Sequence, residues 1–280
     1  MGLKQEEKNN QQHMPQLDGN FDIISPIAPQ VLALLGFDSL ETRPLNTSAA
    51  FQVFRGILEN GEMLSQVLSK WIMKLTPSVV VKFAPGLDIS EDQIMRYIWS
   101  HRGNIPMPEP LGAISIRECN YIFMSYIEGE SLEQLWPRLS PKLKNSIQSQ
   151  LGEILGYLRE MPLSSNCLGN GNPPLCRDLR RHVRTSLESI STELEFNTFL
   201  TSTPVEFNSF YRDLITSSLS TNNLFVMTHS DLCPENITVS CPTPDTIRIT
   251  GLIDWELNGA YPEYWEYVKG LADVRWRSND

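Results

Sequence analysis

The stretch THSDLCPENITV, Thr228 to Val239, decides how this 280-residue chain is interpreted. It places His229, Asp231 and Asn236 in an H-x-D-x-x-x-x-N pattern that runs into residues of alternating polarity. Three fixed positions are moderately specific, since average residue usage gives them by chance in roughly one chain of this length in a hundred. Taken alone, the stretch is also compatible with a loop in which Asp231 and Asn236 satisfy backbone groups.

The residues that follow predict an antiparallel hairpin. NITVS (236–240) and TIRITGLI (246–253) alternate apolar and polar residues, and CPTPD between them has the composition of a turn. This pairing places Asn236, at the start of one strand, beside the end of the other, from which Asp254 emerges. Two oxygen ligands at one end of a hairpin suit a hard cation such as Mg²⁺. A third carboxylate nearby, Asp231, can accept a proton from a hydroxyl group.

A second candidate group lies upstream. The run SVVVKFA (78–84) has the composition of a buried strand, yet it contains Lys82, whose charge is costly to bury without a partner. Glu91 is the candidate partner, because it falls in the first turn of the next predicted helix. Its spacing places it on the same face as three apolar residues, Ile94, Met95 and Ile98. Two alternatives stay open: Glu91 only favours the helix dipole, or Lys82 extends from an edge strand into solvent.

The composition argues against several functions. The formal net charge of −10 disfavours a nucleic-acid partner, which needs a basic face for phosphates. The basic run CRDLRRHVR (176–184) is interpreted as a solvated helix face. The 5 cysteines form no CxxC pair, which argues against a zinc site or a disulfide framework. The N-terminal residues lack a secretory signal and no apolar run is long enough to span a bilayer, so we expect a cytoplasmic protein without a membrane partner.

Composition and periodicity divide the chain into three segments. Residues 1–20 are polar and are predicted to form a disordered tail. Residues 21–126 combine several strand-like runs with helical segments, which predicts a small β-rich lobe. Residues 127–280 carry mostly helical periodicity, which predicts a larger helical lobe. The predicted fold class is therefore α+β with two lobes.

Individual elements can also be placed. SPIAPQVLALLGF predicts a short helix ending at Gly36, and AAFQVFRGIL (49–58) and WIMKLTPSVVVKFA (71–84) predict strands. A helix begins near Ser90, and IPMPEPLGAISI with YIFMSYI predicts a hairpin around RECN. Pro141 opens a helix with an apolar stripe, and SLESISTELEFNTFL and VEFNSFYRDLITSSL are also predicted to be helical.

These parts, in this order, resemble the aminoglycoside phosphotransferase family of the protein-kinase-like superfamily, and more narrowly the fungal phosphotransferase enzyme family. The likeness covers roughly residues 75–270 and is most specific in its later half. It rests on the stretches VVVKFAPG, EDQIMRYI, IPMPEPLG, YIFMSYIEGESLEQLW, LEFNTFL, THSDLCPENITV and ITGLIDWELNGAYPEYWE. The resemblance implies a bilobal kinase-like fold, with a nucleotide-binding lobe at residues 21–126 and a catalytic and acceptor lobe at residues 127–280.

The resemblance also implies how ATP is bound. Lys82 would contact the α- and β-phosphates, with Glu91 as its ion-pair partner. Met124, Tyr126 and Ile127 would belong to the hinge that offers backbone groups to the adenine.

The remaining roles come from the later motifs. By resemblance, Asp231 would be the catalytic base and His229 would brace the catalytic loop. Asn236 and Asp254 would hold Mg²⁺. The implied activity is transfer of a phosphoryl group from ATP to a hydroxyl of a small molecule, which needs mainly positioning and charge neutralisation.

The sequence departs from the family pattern in three places. Ser230 stands where the family more often has glycine, no G-x-G-x-x-G loop precedes Lys82, and the sequence ends soon after YPEYWEYVKG. Two alternatives therefore stay open: ATP-independent chemistry on a metabolite (dehydration, cyclisation or isomerisation), and a non-catalytic pseudokinase. A cluster of aromatic residues is interpreted either as packing or as the floor of an acceptor site, with packing favoured: Trp255, Tyr261, Tyr264 and Trp265.

Overall fold

The structure is a computed structural model that describes most of the chain. The described residues are 15, 17, 21–37, 47–101, 104–178, 184–202 and 209–272. Apart from Pro15 and Leu17, the predicted polar tail at residues 1–20 lies outside them. Leu17 is buried against the core of the first unit. The chain divides into two compact units, one formed by Met1–Asp92 with Glu109–Tyr126 and the other by Gln93–Pro108 with Ile127–Asp280.

The first unit contains all six strands of the largest sheet among the described residues. In chain order its elements are β1 (Phe21–Ser25), α1 (Pro29–Leu34), α2 (Thr47–Asn60), β2 (Glu62–Val67), β3 (Lys70–Thr76), β4 (Val79–Pro85), the first turn of α3 (Ser90–His101), β5 (Pro110–Ile116) and β6 (Cys119–Ser125). The strands form one antiparallel sheet of six in the order β1-β5-β6-β4-β3-β2. The predicted hairpin of β5 and β6 is confirmed, and it turns at Arg117 and Glu118.

The second unit combines helices with short sheets. Its elements are β7 (Glu130–Ser131), α4 (Leu132–Leu135), a 3-10 helix (Trp136–Arg138), α5 (Pro141–Arg159), β8 (Arg177–Asp178), β9 (Arg184–Thr185), α6 (Glu193–Thr201), α7 (Ser209–Ser218), β10 (Phe225–Thr228), a second 3-10 helix (Pro234–Asn236), β11 (Ile237–Thr243), β12 (Thr246–Leu252), β13 (Gly259–Pro262) and α8 (Trp265–Ala272). Across the described parts of both units, the helices are too short or too polar for a membrane span.

The strand predicted at residues 49–58 is wrong, because this segment belongs to helix α2. Phe51, Phe54 and Leu58 follow each other at intervals of three and four residues and are all buried. A strand would have placed Phe51 and Val53 on the same face, yet Val53 is 47% exposed. The three- and four-residue spacing therefore identifies a helix that covers one face of the sheet.

An aromatic ladder forms the core between α2 and the sheet. Trp71 of β3 stacks on Phe83 of β4 at 5.3 Å between ring centroids, and Phe83 stacks on Tyr121 of β6 at 5.1 Å. Phe54 of α2 meets Tyr121 edge to face at 5.4 Å. These contacts join three strands and a helix through large side chains, so they account for a large share of the packing energy of this unit.

One helix prediction in the second unit needs correction at its start, and the start of another lies outside the described residues. Helix α6 begins at Glu193 and not at Ser186, because Thr192 and Glu195 form a reciprocal capping box that starts the helix there. Helix α7 is described from Ser209 onwards, and residues 205–208 of the predicted helix lie outside the described residues. Helix α5 starts as predicted, with the Ser140 side chain accepting from the Leu143 N–H.

The prediction of a solvated helix face at residues 176–184 is wrong at the two arginines that the structure describes. Arg177 and Arg184 lie on the short strands β8 and β9. The Arg184 guanidinium pairs with Asp178 at 2.6 Å and donates to the carbonyls of Phe199 and Ser202 at the end of α6. Arg184 thus satisfies helix carbonyls that have no partner within the helix.

Removing the α2 end of the aromatic ladder is expected to destabilise the protein. Phe54→Ala deletes a side chain that is 1% exposed, and the expected loss in free energy of unfolding is about 3–5 kcal/mol. Gln52→Ala, at an exposed position of the same helix, should stay within about 0.5 kcal/mol of the parent. Urea denaturation of both variants measures this, and similar losses in the two would contradict the placement of Phe54 in the core.

Candidate active site

Lys82 lies in the middle of the sheet of the first unit. Its strand β4 pairs with β3 and β6, and Lys82 lies opposite Ile72 of β3 and Ile122 of β6. Alternation along β4 directs it to the face opposite the aromatic ladder, the face that carries Ala84. The residue is only 2% exposed. An ammonium group at this depth needs a charged partner to remain protonated.

That partner is Glu91, as the sequence predicts. The Lys82 Nζ atom lies 2.7 Å from the Glu91 Oε2 atom, and both side chains are 3% exposed. Glu91 stands in the first turn of α3, which begins at Ser90 itself, and the Asp88 carboxylate accepts from the Ser90 N–H at 2.8 Å. The alternative of a lysine extending from an edge strand is therefore wrong. The pair holds the ammonium in one position, and removing either partner would leave a buried charge uncompensated.

The predicted hinge residues lie at the end of β6 and just beyond it. Met124 is paired within the sheet to both β4 and β5. The Tyr126 N–H donates to the Ser78 carbonyl at 2.9 Å, and the Lys74 ammonium lies 3.6 Å from the centre of the Tyr126 ring. The Tyr126 N–H is thus already engaged within its own unit.

Ile127 opens the second unit and packs on the hairpin of β11 and β12. A Cβ atom added to Gly251 of β12 would approach the Ile127 Cγ2 atom to 2.8 Å. Glycine at this position therefore allows the chain after the predicted hinge to lie close against the strand.

The predicted hairpin of the second unit is confirmed by the pairing of β11 with β12. Its register ends with Ile237 opposite Leu252, and one further hydrogen bond runs from the Ile253 N–H to the Asn236 carbonyl at 2.9 Å. Asn236 and Asp254 therefore leave the hairpin at the same end. This juxtaposition is the one that the alternating sequence pattern predicts.

Asp231 and Asn236 are in direct contact. The Asn236 Nδ2 atom donates to the Asp231 backbone carbonyl at 2.9 Å and to the Asp231 Oδ2 atom at 3.1 Å. Because the amide nitrogen faces Asp231, the amide oxygen points away from it and offers lone pairs to another group. The contact fixes the amide of Asn236 and the carboxylate of Asp231 relative to each other.

His229 is a buried residue that links the 229–236 loop to the end of the hairpin. Its Nε2 atom lies 3.0 Å from the Ile253 carbonyl, and its Nδ1 atom lies 3.3 Å from the Asp231 backbone nitrogen. This pattern fits a neutral ring that donates from Nε2 and accepts at Nδ1. Burial lowers the pKa of His229, although Glu266, Asp254 and the hydrogen bond to Ile253 act in the opposite direction.

Two residues of the site adopt left-handed backbone conformations without being glycine. Ser230 has φ of 63° and Asp254 has φ of 62°. Ser230 thus takes the conformation that glycine would adopt at this position with less strain. Its hydroxyl lies 2.6 Å from the Thr228 hydroxyl, a buried contact that glycine could not make. The departure from the family pattern at Ser230 is therefore accommodated locally.

Glu266 is not among the predicted site residues, yet it holds the backbone of the 229–236 loop. Its carboxylate, on α8, accepts from the His229 N–H at 2.7 Å and lies 3.2 Å from the Ser230 N–H. Glu266 is 6% exposed. The only signal in the sequence is an acidic residue within the otherwise apolar WEYV of α8, since its partners are backbone atoms 36 and 37 residues away.

Three of the four aromatic residues of the predicted cluster pack in the core. Trp255, Tyr261 and Trp265 are at most 1% exposed, and Tyr261 stacks on Trp265 at 5.5 Å. The Trp255 ring also lies 4.5 Å from the His229 ring. These three side chains therefore support the site and do not line an open surface, while Tyr264 is half-buried.

Two groups are typical of a protein-kinase-like fold: a buried lysine–glutamate pair on a strand and helix of the first unit, and the 229–236 loop with its hairpin in the second. The chain belongs to the phosphotransferase enzyme family, whose model matches residues 42–279. A comparison with curated protein sequences gives no significant match.

Solved structures with the same fold include aminoglycoside phosphotransferases. A thermostable mutant of APH(4)-Ia with ADP and hygromycin B is 15% identical, with a TM-score of 0.53 over 75% of this chain and 70% of that one. The GDP complex of aminoglycoside 2′-phosphotransferase-IIIa is 14% identical, with a TM-score of 0.53 over 75% and 71%. The streptomycin–ATP complex of APH(2″)-IIa is 13% identical, with a TM-score of 0.51 over 81% and 76%. At these identities the similarity shows the fold.

Replacing the Glu266 carboxylate by an amide is expected to destabilise the 229–236 loop. Glu266→Gln puts an NH₂ group where two backbone N–H groups need acceptors, and the expected loss in free energy of unfolding is about 2 kcal/mol. Glu263→Gln makes the same change at an exposed position of the same segment and should stay within about 0.5 kcal/mol of the parent. Chemical denaturation measures both, and equal losses would contradict the role of Glu266.

The lowered pKa of His229 is expected to make stability depend on pH. An unfolded histidine titrates near about 6.5, so below that pH the unfolded state binds a proton that the folded ring resists. The free energy of unfolding therefore falls as the pH drops from 6.5 towards the folded pKa, by at most about 1.4 kcal/mol per pH unit. Above pH 7 this contribution is absent.

Urea titrations at pH 7, 6 and 5 test this expectation. The free energy of unfolding of the parent should fall more steeply with decreasing pH than that of His229→Gln. His101→Gln, which removes an exposed imidazole, is the matched control. Parallel pH profiles for the parent and His229→Gln would contradict the neutral, buried state of this ring.

Proposed function

We propose that this protein transfers the γ-phosphoryl group of ATP, with Mg²⁺, to a hydroxyl of a small molecule. The observation that carries the proposal is the end of the β11–β12 hairpin, where the Ile253–Asn236 hydrogen bond brings Asn236 and Asp254 to one end and Asn236 contacts Asp231. An amide oxygen and two carboxylates are the groups that metal binding and proton transfer require.

The buried ion pair of the first unit supplies the positive charge for the nucleotide. In this proposal residues 21–126 hold the nucleotide, and the Lys82 ammonium contacts its α- and β-phosphates. The 2.7 Å pair with Glu91 supports this role, because it fixes the ammonium before the phosphates arrive. The adenine would be held by backbone groups near Met124, Tyr126 and Ile127. Because the Tyr126 N–H donates to Ser78, we assign the adenine contacts to other backbone groups of this segment.

The donor set in the second unit fits a magnesium ion. Mg²⁺ prefers oxygen ligands, and the orientation of the Asn236 amide leaves its oxygen directed away from Asp231. Asn236 and Asp254 would hold the ion through that oxygen and a carboxylate. When bound, the ion neutralises charge on the phosphate oxygens.

Asp231 would act as the catalytic base. It is half-buried, so an acceptor hydroxyl can reach it, and its carboxylate is oriented by the amide of Asn236. The acceptor oxygen forms a bond to the γ-phosphorus while its proton passes to the Asp231 carboxylate. The bond between the γ-phosphorus and the β–γ bridging oxygen breaks, and ADP leaves with that electron pair. His229 acts through position only, since its two ring nitrogens contact the backbone of Ile253 and Asp231.

The acceptor is proposed as a class. Solved proteins of this fold contain hygromycin B or streptomycin, which are hydroxylated small molecules. The fold alone does not fix the acceptor, so we do not restrict the proposal to aminoglycosides.

The decisive test combines binding and turnover. Asp231→Asn should reduce phosphoryl transfer by at least about 100-fold while ATP binding with Mg²⁺ persists, because only the proton acceptor is lost. Asp245→Asn, in the exposed turn of the same hairpin, should leave transfer unchanged. Calorimetry with Mg–ATP and ADP release over a panel of hydroxylated metabolites are the measurements. Failure of the parent to bind Mg–ATP would overturn the proposal.

A second candidate is ATP-independent chemistry on a metabolite in the same fold. It is favoured by the turn between β2 and β3, which consists of Leu68 and Ser69, with Leu68 at φ of 51° and 81% exposed. No glycine lies between Glu62 and Lys74, so the backbone of this hairpin is less free to wrap phosphates. Substrate conversion that persists without ATP and Mg²⁺ would select this candidate over phosphoryl transfer.

A further inference from the structure

Strand β12 forms one edge of its sheet, and part of this edge is hydrogen-bonded by a side chain. The strand order is β12-β11-β7, so only one side of β12 is paired with another strand. The backbone groups on its other side need partners, because Ile247 and Ile249 are each only 5% exposed. The chain after this strand carries Asp254.

The Gln150 side chain on α5 is the partner of two of these backbone groups. Its Nε2 atom donates to the Ile247 carbonyl at 3.0 Å, and its Oε1 atom accepts from the Ile249 N–H at 2.9 Å. One amide thus provides both the donor and the acceptor that a neighbouring strand would provide. Gln150 Nε2 also lies 3.1 Å from the Ser146 hydroxyl, one turn earlier on the helix, which fixes the orientation of the amide.

A second contact holds the same edge nearer to the site. The Leu252 N–H donates to the Pro106 carbonyl at 2.9 Å. The outer edge of β12 is therefore held at Ile247, Ile249 and Leu252, and the next residue, Ile253, is bonded on the inner side to Asn236. Gln150 provides the side-chain part of this support, and Asp254 lies five residues beyond Ile249.

The space beside Gln150 is open. A cavity of about 240 Å³ is lined by Asn104, Pro106, Gln150, Glu153, Ile154, Tyr157 and Ile249. Water entering this cavity can replace the hydrogen bonds of a missing glutamine, which limits the cost in stability. Water cannot tie β12 to helix α5, so the position of the strand would be less well defined.

We propose that Gln150 is a positioning residue for Asp254: by completing the outer edge of β12, it fixes the strand that carries Asp254 to its place beside Asn236. The inference rests on the proposed function, because it assigns the positioned carboxylate to Mg²⁺. It predicts that loss of the glutamine weakens metal binding more than it weakens the fold. Groups that hydrogen-bond metal ligands typically change metal affinity by about 10- to 100-fold when replaced, and a residue that acts through the strand backbone is expected at the lower end of this range.

Two variants and one control separate this role from a general structural one. Gln150→Met keeps the length and removes both hydrogen bonds, whereas Gln150→Glu keeps an acceptor for the Ile249 N–H and loses the donor to the Ile247 carbonyl. Gln148→Met changes an exposed glutamine of the same helix. The readouts are the Mg²⁺ concentration for half-maximal ATP turnover, the hydrogen exchange of the Ile249 amide, and the melting temperature.

In Gln150→Met we expect the half-saturating Mg²⁺ concentration to rise about tenfold, with kcat at saturating Mg²⁺ within about threefold of the parent. The Ile249 amide should lose protection in Gln150→Met and keep it in Gln150→Glu. Gln148→Met should match the parent in every readout.

The outcomes distinguish the two proposals. A parent enzyme with no Mg²⁺ dependence overturns the proposed function, and this inference with it. A Mg²⁺-dependent parent whose Gln150→Met variant has an unchanged half-saturating concentration, or only a lower melting temperature, overturns the positioning role alone. Should Gln150→Met not fold, Gln150→Glu decides by the same comparison, since it is expected to raise the half-saturating Mg²⁺ concentration as well.

Discussion

The backbone of Ile253 is the junction on which the site of the second unit depends. Its N–H donates to the Asn236 carbonyl, and its carbonyl accepts from the ring of His229. The backbone of this one residue therefore joins the strand that leads to Asp254, the start of β11 and the 229–236 loop. Because main-chain atoms make both contacts, the arrangement requires the hairpin register and not a particular side chain at position 253.

The contacts around this junction each restrict the position of a different group. His229 spans the loop as a neutral ring, Glu266 holds its backbone amides, and Asn236 fixes the carboxylate of Asp231. Gln150 acts on the outer side of the hairpin. In the first unit the buried pair of Lys82 and Glu91 follows the same logic, since a charge placed in an apolar interior is tolerable only with a fixed partner. Such preorganisation is what phosphoryl transfer demands of a protein.

The sequence predicts those parts of the site that leave a local pattern. The hairpin follows from alternation and a turn, and the Lys82–Glu91 pair follows from single charges within apolar runs. The strand predicted at 49–58 is wrong because aromatic residues suit strands as well as buried helix faces, and only the spacing of Phe51, Phe54 and Leu58 separates the two. Glu266 and Gln150 could not be found in this way. Their partners are backbone atoms far along the chain, which leave no trace in local side-chain patterning.

The left-handed conformations of Ser230 and Asp254 have a consequence for how this sequence can drift in evolution. Both positions admit glycine, asparagine or aspartate readily, whereas β-branched residues would force the backbone out of that region. Serine at position 230 is intermediate between glycine and the β-branched residues in the cost of this conformation, since its hydroxyl contact with Thr228 offsets part of the steric cost. Drift at position 230 should therefore follow a narrow substitution spectrum set by backbone geometry, whereas the carboxylate proposed to hold Mg²⁺ restricts position 254 further.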